Sequence, residues 1–172
     1  IAQQVASWPK LGLVVMDGKG ALPNELAAMH MIDGYKVVDP ANCVVSLVGN
    51  LEPDAIVDTI RSILGSKNGD QFFNNSAAGL LRRAGVLAKA LGRQYWSLEG
   101  VGKIATNKKS LDEALKAVAN LPDDLRKKPL VVEASNYLSG EWEQMDSRVK
   151  SNIVATARAW IGTIMAHDDL LR

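Results

Sequence analysis

Residues 73–91 read FNNSAAGLLRRAGVLAKAL, and this stretch decides the fold of the chain. Its apolar residues recur at spacings of three and four, which places them on one face of an α-helix. Gly92 follows at once, and glycine is the usual residue just after a helix. The stretch therefore predicts one long amphipathic helix whose apolar face meets a core. That face consists of Phe73, Ala77, Leu80, Ala84, Leu87 and Leu91.

The sequence on both sides of this helix predicts further helices from about residue 50 onward. Pro53 suits a first helical turn, and Ser97 is a candidate N-cap. Ser110 and Glu113 have the spacing of a capping box, which predicts that a helix begins at Ser110. The other predicted helices cover 53–64, 98–105, 129–137 and 147–166. We expect about five to seven helices in this part, with one core formed by Phe73, Leu80, Leu87, Val149, Ile153 and Trp160.

The first forty residues have a different pattern. Short apolar, β-branched runs at 13–16 and 36–38 are typical of buried strands, and a short helix is predicted between them. Strand, helix and strand within about thirty residues match a βαβ unit with parallel strands. The predicted fold is therefore mostly α: a helical bundle over 50–172, preceded at 1–49 by a partial βαβ segment.

Composition narrows the classes of protein. The chain has 172 residues, of which 47% are hydrophobic and 23% charged, the usual balance of a globular domain. Cys43 is the only cysteine, so no intramolecular disulfide can form. No apolar run approaches the roughly 20 residues of a membrane helix, and the start lacks the pattern of a signal peptide. Because the chain starts at Ile1 without methionine, we expect it to be part of a longer protein.

Charge is concentrated in the middle of the chain. Residues 82–128 hold eleven basic and five acidic side chains, a net charge of +6, whereas the whole chain carries only +1. Such a segment indicates an acidic partner or, alternatively, an ordinary solvated helix surface. We expect the last three cations to lie on a loop before Pro129. The candidate residues for binding DNA or an acidic cargo are Arg82, Arg83, Lys89, Arg93, Lys103, Lys108, Lys109, Arg126, Lys127 and Lys128.

No motif in this chain predicts catalysis, a cofactor or a metal site. Asp17-Gly18-Lys19-Gly20 lacks the glycine spacing and the hydroxyl of a phosphate-binding Walker loop. His30, His167 and Cys43 do not form a ligand pattern typical of zinc. We therefore expect no catalytic residue within the chain and no binding of ATP by the chain alone.

Three stretches together resemble the coupling ATPases of conjugation and type IV secretion. The first is LVVMDGKG at 13–20 with YKVVDP at 35–40, similar to two strands of the family that end in Asp-Pro motifs. The second, DQFFNNSAAGLL at 70–81, resembles the family's Asp-Pro-Phe-Trp, Ala-Ala, Leu-Leu helix. The third is SNIVAT at 151–156 with DDLLR at 168–172. Gly18 and Ala21 stand where the family has proline and glutamate, which indicates a divergent branch.

The resemblance implies a role for each part of the chain. Members of the family are hexameric RecA-like motors, anchored at the inner membrane by an N-terminal region. By this resemblance, residues 50–172 are the all-alpha domain on the cytoplasmic side, which receives a relaxase–DNA complex or a secreted protein. Residues 1–49 are the flanking segment of the RecA-like motor itself, where Asp17 and Lys19 approach the nucleotide or only shape a loop. The parent protein would bind ATP and Mg²⁺ through a Walker A loop before Ile1 and a Walker B strand after Arg172.

Two other interpretations stay open from the sequence. One is a helical protein–protein adaptor unrelated to any motor, and the other is a fragment of a different RecA-like DNA translocase. An apolar strand ending in Asp-Glu just beyond Arg172 would favour a motor, and its absence would favour the adaptor.

Overall fold

The computed structural model describes residues 51–64 and 70–166, which fall in one compact unit. These residues form eight helices and no strand, so the mostly helical prediction is confirmed for this part of the chain. The helices are α1 (Pro53–Leu64), α2 (Gln71–Leu91), α3 (Leu98–Thr106), α4 (Lys108–Ala119), α5 (Asp123–Arg126), α6 (Pro129–Ser139), α7 (Glu141–Gln144) and α8 (Ser147–Met165). The predicted strands at 13–16 and 36–38, and the domain boundary near residue 50, lie outside the described residues.

Helix α2 is the centre of the bundle, because α1, α3, α4, α6 and α8 all pack on it. The predicted apolar face is buried in its middle, where Leu80 and Leu87 are at most 1% exposed. Phe73 and Leu91, at its two ends, are half-buried. A second buried stripe accompanies it, which the sequence analysis did not single out. This stripe consists of Ala78, Leu81, Gly85 and Ala88.

The second stripe exists because α1 lies against it. An added Cβ at Gly85 would approach the Pro53 Cβ of α1 to 3.1 Å, so the two helices meet closely there. Helix α1 buries Ile56, Val57 and Ile60 on its inner side. A helix covered on two sides needs apolar or small residues on both, which explains the width of the buried face of α2.

Helix α8 closes the bundle against α2 and α3. Its inner face buries Ile153 and Trp160, and Val149 is half-buried against the core, as predicted. Gly102 of α3 lets α8 approach, since a Cβ at this position would lie 3.0 Å from Ile161 Cγ2. The long helices thus share a single apolar core.

Side-chain caps start several helices. Asp70 accepts from the Phe72 amide at the start of α2, a cap that the sequence analysis did not predict. Ser97 accepts from the Gly100 amide and caps α3, as predicted. The predicted capping box at Ser110 is wrong. Helix α4 begins at Lys108, and the Asn107 side chain caps it by accepting from the Ser110 amide at 3.2 Å.

The structure has more helices than the expected five to seven, because α5 and α7 are single turns of four residues. Arg126 belongs to α5, so the prediction that it lies on a loop is wrong. Helix α7 carries Trp142, which is only 6% exposed and anchors the connection between α6 and α8 in the core. Single turns are too short to show a helical periodicity.

Candidate functional site

Two of the predicted cations of α2 pair with carboxylates on α1 or just before it, while both side chains stay partly exposed. The Arg82 guanidinium forms ion pairs with Asp54 and, at 3.4 Å, with Asp58. Lys89 Nζ lies 2.6 Å from the carboxylate of Glu52. Carboxylates of residues 52–58 therefore already pair with these two cations of α2.

Arg83, although next in sequence, points to a different neighbour. Its Nε and Nη2 donate to Glu133 of α6 at 3.0 and 2.7 Å. The guanidinium also lies 3.9 Å from the centre of the Tyr137 ring, a cation–π contact. Burial raises the pKa of Tyr137 above its ordinary value. Arg83 therefore holds α6 against α2 by charge and by stacking.

The cations that follow α2 pair in several separate places. Lys103 bonds Glu99 within α3 at 2.5 Å, and Lys109 lies 4.0 Å from Glu113 within α4. In and just after α5, the Asp123 carboxylate forms ion pairs with two cations. Its oxygens lie 2.5 Å from Arg126 Nη2 and 2.5 Å from Lys127 Nζ. The hydrogen bonds from Lys127 and Arg126 lower the pKa of Asp123.

Among the described residues, Lys108 is the cation after α2 whose ion pair links elements far apart in sequence. Its Nζ lies 3.0 Å from both carboxylate oxygens of Glu143 in α7. Lys150 of α8 donates to the Glu143 backbone carbonyl at 2.8 Å, and its ammonium lies 5.9 Å from the Trp142 ring centre. The hydrogen bond from Lys108 lowers the pKa of Glu143, and the same bond raises the pKa of Lys108.

This ion pair predicts a dependence of stability on pH. Because the folded pKa of Glu143 lies below its ordinary 4.5, the pair stabilises the fold above about pH 4.5 and stops doing so as pH falls through the lowered pKa. Glu143→Gln should therefore lower the melting temperature at pH 7, and this effect should shrink as the pH falls below 4.5. The pair is exposed to solvent, so we expect the decrease at pH 7 to be small. Thermal melts followed by circular dichroism measure it.

Asp124→Asn is the matched control, because Asp124 is an exposed carboxylate without an ion pair among the described residues. An equal loss at pH 7 for both variants, or a Glu143→Gln effect that does not shrink as the pH falls below 4.5, would contradict the assigned role of Glu143.

The structure does not bring the ten predicted cations to one surface. Eight of them pair with carboxylates on the segment before α1 or on α1, α3, α4, α5, α6 and α7. The other two, Arg93 and Lys128, have no ion pair with the described residues. The carboxylates balance most of the positive charge that the sequence shows between 82 and 128.

Several grooves mark the surface of the described part, and the sequence analysis predicted none of them. The first runs along α6, has a volume of about 610 Å³ and is lined by Val132, Tyr137 and charged side chains. Beside it, Leu130 and Val132 are 66% and 42% exposed. The second lies between α3 and α8, has a volume of about 300 Å³ and includes Arg158 and Gly162. Neither Arg158 nor Gly162 belongs to a recognisable motif, so only the packing of the two helices reveals this site.

The remaining predictions concern contact with a nucleotide, metal binding and membrane-spanning helices. Asp17 and Lys19 lie outside the described residues, so their proposed position near a nucleotide stays a prediction. Within 51–64 and 70–166, no group of three or more His, Cys, Asp or Glu side chains is placed to hold a metal ion. None of the helices described is both long and apolar enough to cross a membrane. No protein-family model, curated protein or solved structure matches this chain.

Proposed function

We propose that this chain holds the cargo-receiving all-alpha domain of a coupling ATPase of conjugation or type IV secretion. Residues 50–172 are this domain, and 1–49 are a partial segment of the RecA-like motor. The observation that carries the proposal is the all-helical unit centred on α2. Its central helix begins in the stretch that resembles the family, and the Ala-Ala and Leu-Leu pairs of that stretch are core residues. These are Ala77, Ala78, Leu80 and Leu81.

The proposal includes the parent protein. The parent is a homo-hexamer, anchored at the bacterial inner membrane, that binds ATP and Mg²⁺ outside this chain. This chain lies on the cytoplasmic side and receives its cargo without contacting the membrane. Asp17 and Lys19 lie beside the nucleotide of the motor, and the chain itself performs no catalysis.

The pairing of charges favours a protein cargo over DNA. A surface that binds phosphates needs cations that are free to exchange their counterions. Here Arg82 and Lys89 already face carboxylates, and Arg83 is held by Glu133 and Tyr137. A phosphate would have to displace these partners, which lowers its affinity at each position.

A specific prediction follows for DNA. We expect DNA binding that is no tighter than about 10⁻⁴ M at physiological salt, the weak end of non-specific binding. The variant Arg82→Gln/Lys89→Gln should bind nearly as tightly as the wild type, because carboxylates already pair with both cations. Arg82→Glu/Lys89→Glu/Arg93→Glu lowers the net charge by six and should weaken this non-specific binding further. Fluorescence anisotropy with a labelled duplex, at low and at high salt, measures both.

The milder variant Arg82→Gln/Lys89→Gln controls for loss of folding, and circular dichroism verifies the helix content of each protein. Saturable binding tighter than about 10⁻⁶ M that the triple variant abolishes would make DNA the cargo.

Deleting the helical domain from the longer protein tests the proposed function. Removal of 53–165 should leave Mg-ATP binding and hydrolysis in place and abolish transfer of cargo between cells. An intact transfer activity would contradict the proposal. So would a longer protein without a Walker A loop before Ile1 and without an apolar strand ending in Asp-Glu after Arg172.

The helical adaptor remains the second candidate, and the exposed Leu130 and Val132 beside the α6 groove favour it. Exposed apolar side chains next to a groove are typical of protein-binding surfaces. A longer protein without motor motifs would favour the adaptor over both the coupling ATPase and another RecA-like translocase.

A further inference from the structure

The groove between α3 and α8 contains a glycine that the packing of the described residues does not require. Gly162 lies within α8, near its end, and an added Cβ there would meet no described atom within 4 Å. It is not a helix-ending glycine of the left-handed kind, because Gly92 is the position in the described residues with a positive φ. Glycine is nearly the least favourable residue within a helix, and alanine the most favourable. Neither helix formation nor packing among the described residues therefore explains why residue 162 is a glycine.

Gly162 lines the groove, and its missing side chain keeps the groove open to the backbone of α8. The floor nearby is apolar, since Ile161 is almost buried and Met165 is partly buried against the core. Across the groove, Gly102 packs closely on Ile161, so the open space lies at Gly162. The floor thus suits one apolar side chain of moderate size, and methionine adapts readily to such a group.

Arg158 is one of three charged side chains that line this groove, together with Glu99 and Lys103. It lies four residues before Gly162, so both are on the same side of α8. Its Nη2 donates to the Thr106 carbonyl oxygen at the end of α3, at 3.3 Å, which orients the guanidinium across the groove. A guanidinium has five N–H donors, and no carboxylate in the described part pairs with Arg158. The neighbouring cation, Lys103, is by contrast occupied by Glu99 at 2.5 Å.

We propose that this groove binds the carboxyl-terminal residue of a partner polypeptide whose last side chain is apolar. The terminal carboxylate bonds the free donors of Arg158, a geometry that guanidinium groups favour. The apolar side chain lies against Ile161 and Met165, over the space that Gly162 leaves. A groove of about 300 Å³ holds about one residue. The inference does not rest on the proposed function, since an adaptor could use the same groove.

Small probes test this site by amide NMR titration of the full chain. N-acetyl-leucine should shift the amides of Gly102 and Gly162 saturably, with the millimolar affinity expected for so small a ligand. N-acetyl-leucinamide lacks the carboxylate and acetate lacks the side chain, so each should bind at least about tenfold more weakly. Acetyl-glycyl-glycyl-leucine should bind at least as tightly as N-acetyl-leucine, because the groove receives the end of a chain.

Two variants separate binding from folding. Gly162→Ala should raise the melting temperature by about 2–4 °C, since alanine favours the helix, and should still lose the saturable shifts. Arg158→Gln should weaken binding of N-acetyl-leucine at least about tenfold, whereas Arg148→Gln, on the same helix and outside the groove, should not.

Four results would overturn the proposal. The first is that N-acetyl-leucine causes no localised shifts, and the second is that N-acetyl-leucinamide or acetate binds as tightly as N-acetyl-leucine. The third is that acetyl-glycyl-glycyl-leucine does not bind. The fourth is that Arg158→Gln or Gly162→Ala leaves the binding of N-acetyl-leucine unchanged.

Discussion

Replacing Leu80 with alanine should lower the free energy of unfolding by about 2–5 kcal/mol. Leu80 is 1% exposed in the middle of α2, the helix on which five others pack. Removing its side chain loses apolar burial and leaves a cavity that so many neighbours cannot all move to fill. Because domains are commonly stable by only about 5–15 kcal/mol, the loss is a large share of the total. Urea denaturation followed by circular dichroism measures it.

Leu130→Ala is the matched control, with the same chemical change at a position that is 66% exposed. Its effect should stay within about 0.5 kcal/mol. Equal losses for the two variants would mean that α2 does not form the centre of the core.

Replacing Gly100 with alanine should destabilise the domain by about 1–3 kcal/mol, against the usual gain from alanine in a helix. An added Cβ would collide with the carbonyl oxygen of Tyr95. That carbonyl is fixed, since it accepts from the Ser97 amide at 2.9 Å, and the Ser97 hydroxyl accepts from the Gly100 amide at 3.0 Å. The turn before α3 must therefore open, and the cap of α3 is lost with it.

Gly162→Ala supplies the contrast for this prediction, because its Cβ meets no described atom and the variant should gain stability. Both variants can be compared by thermal melting under identical conditions. A Gly100→Ala protein as stable as the wild type would show that the turn at 92–97 adapts without loss.

The helices could be predicted from the sequence because their signals are local. Pro53 marks a helix start and Gly92 a helix end that the structure confirms, and the apolar spacing between them is regular. The start of α4 shows the limit of this reasoning. Asn107 and Ser110 are both good caps, and the choice between them is not decided by spacing alone. Glu113, the other half of the expected capping box, lies 4.0 Å from Lys109.

The candidate site could be predicted only in part, because its geometry depends on residues far apart in sequence. The cations are visible in the sequence, but their partners are not. Lys89 and Glu52 are 37 positions apart, Arg83 and Glu133 are 50 apart, and Lys108 and Glu143 are 35 apart. The net charge of residues 82–128 therefore overestimates the positive charge of the folded surface. The groove at Gly162 could not be predicted from the sequence for the same reason, since its two walls come from α3 and α8.

The attachment of α1 has a mechanical consequence. This helix packs chiefly on α2, through one apolar side and the ion pairs of Arg82 and Lys89. Such a peripheral element can open locally while the rest of the domain stays folded, so its amides should exchange with deuterium sooner than those of α2. Tension along the backbone from the residues before Leu51 acts on α1 first. Under such tension, α1 would detach first, while α2 and the other helices that pack on it stay folded.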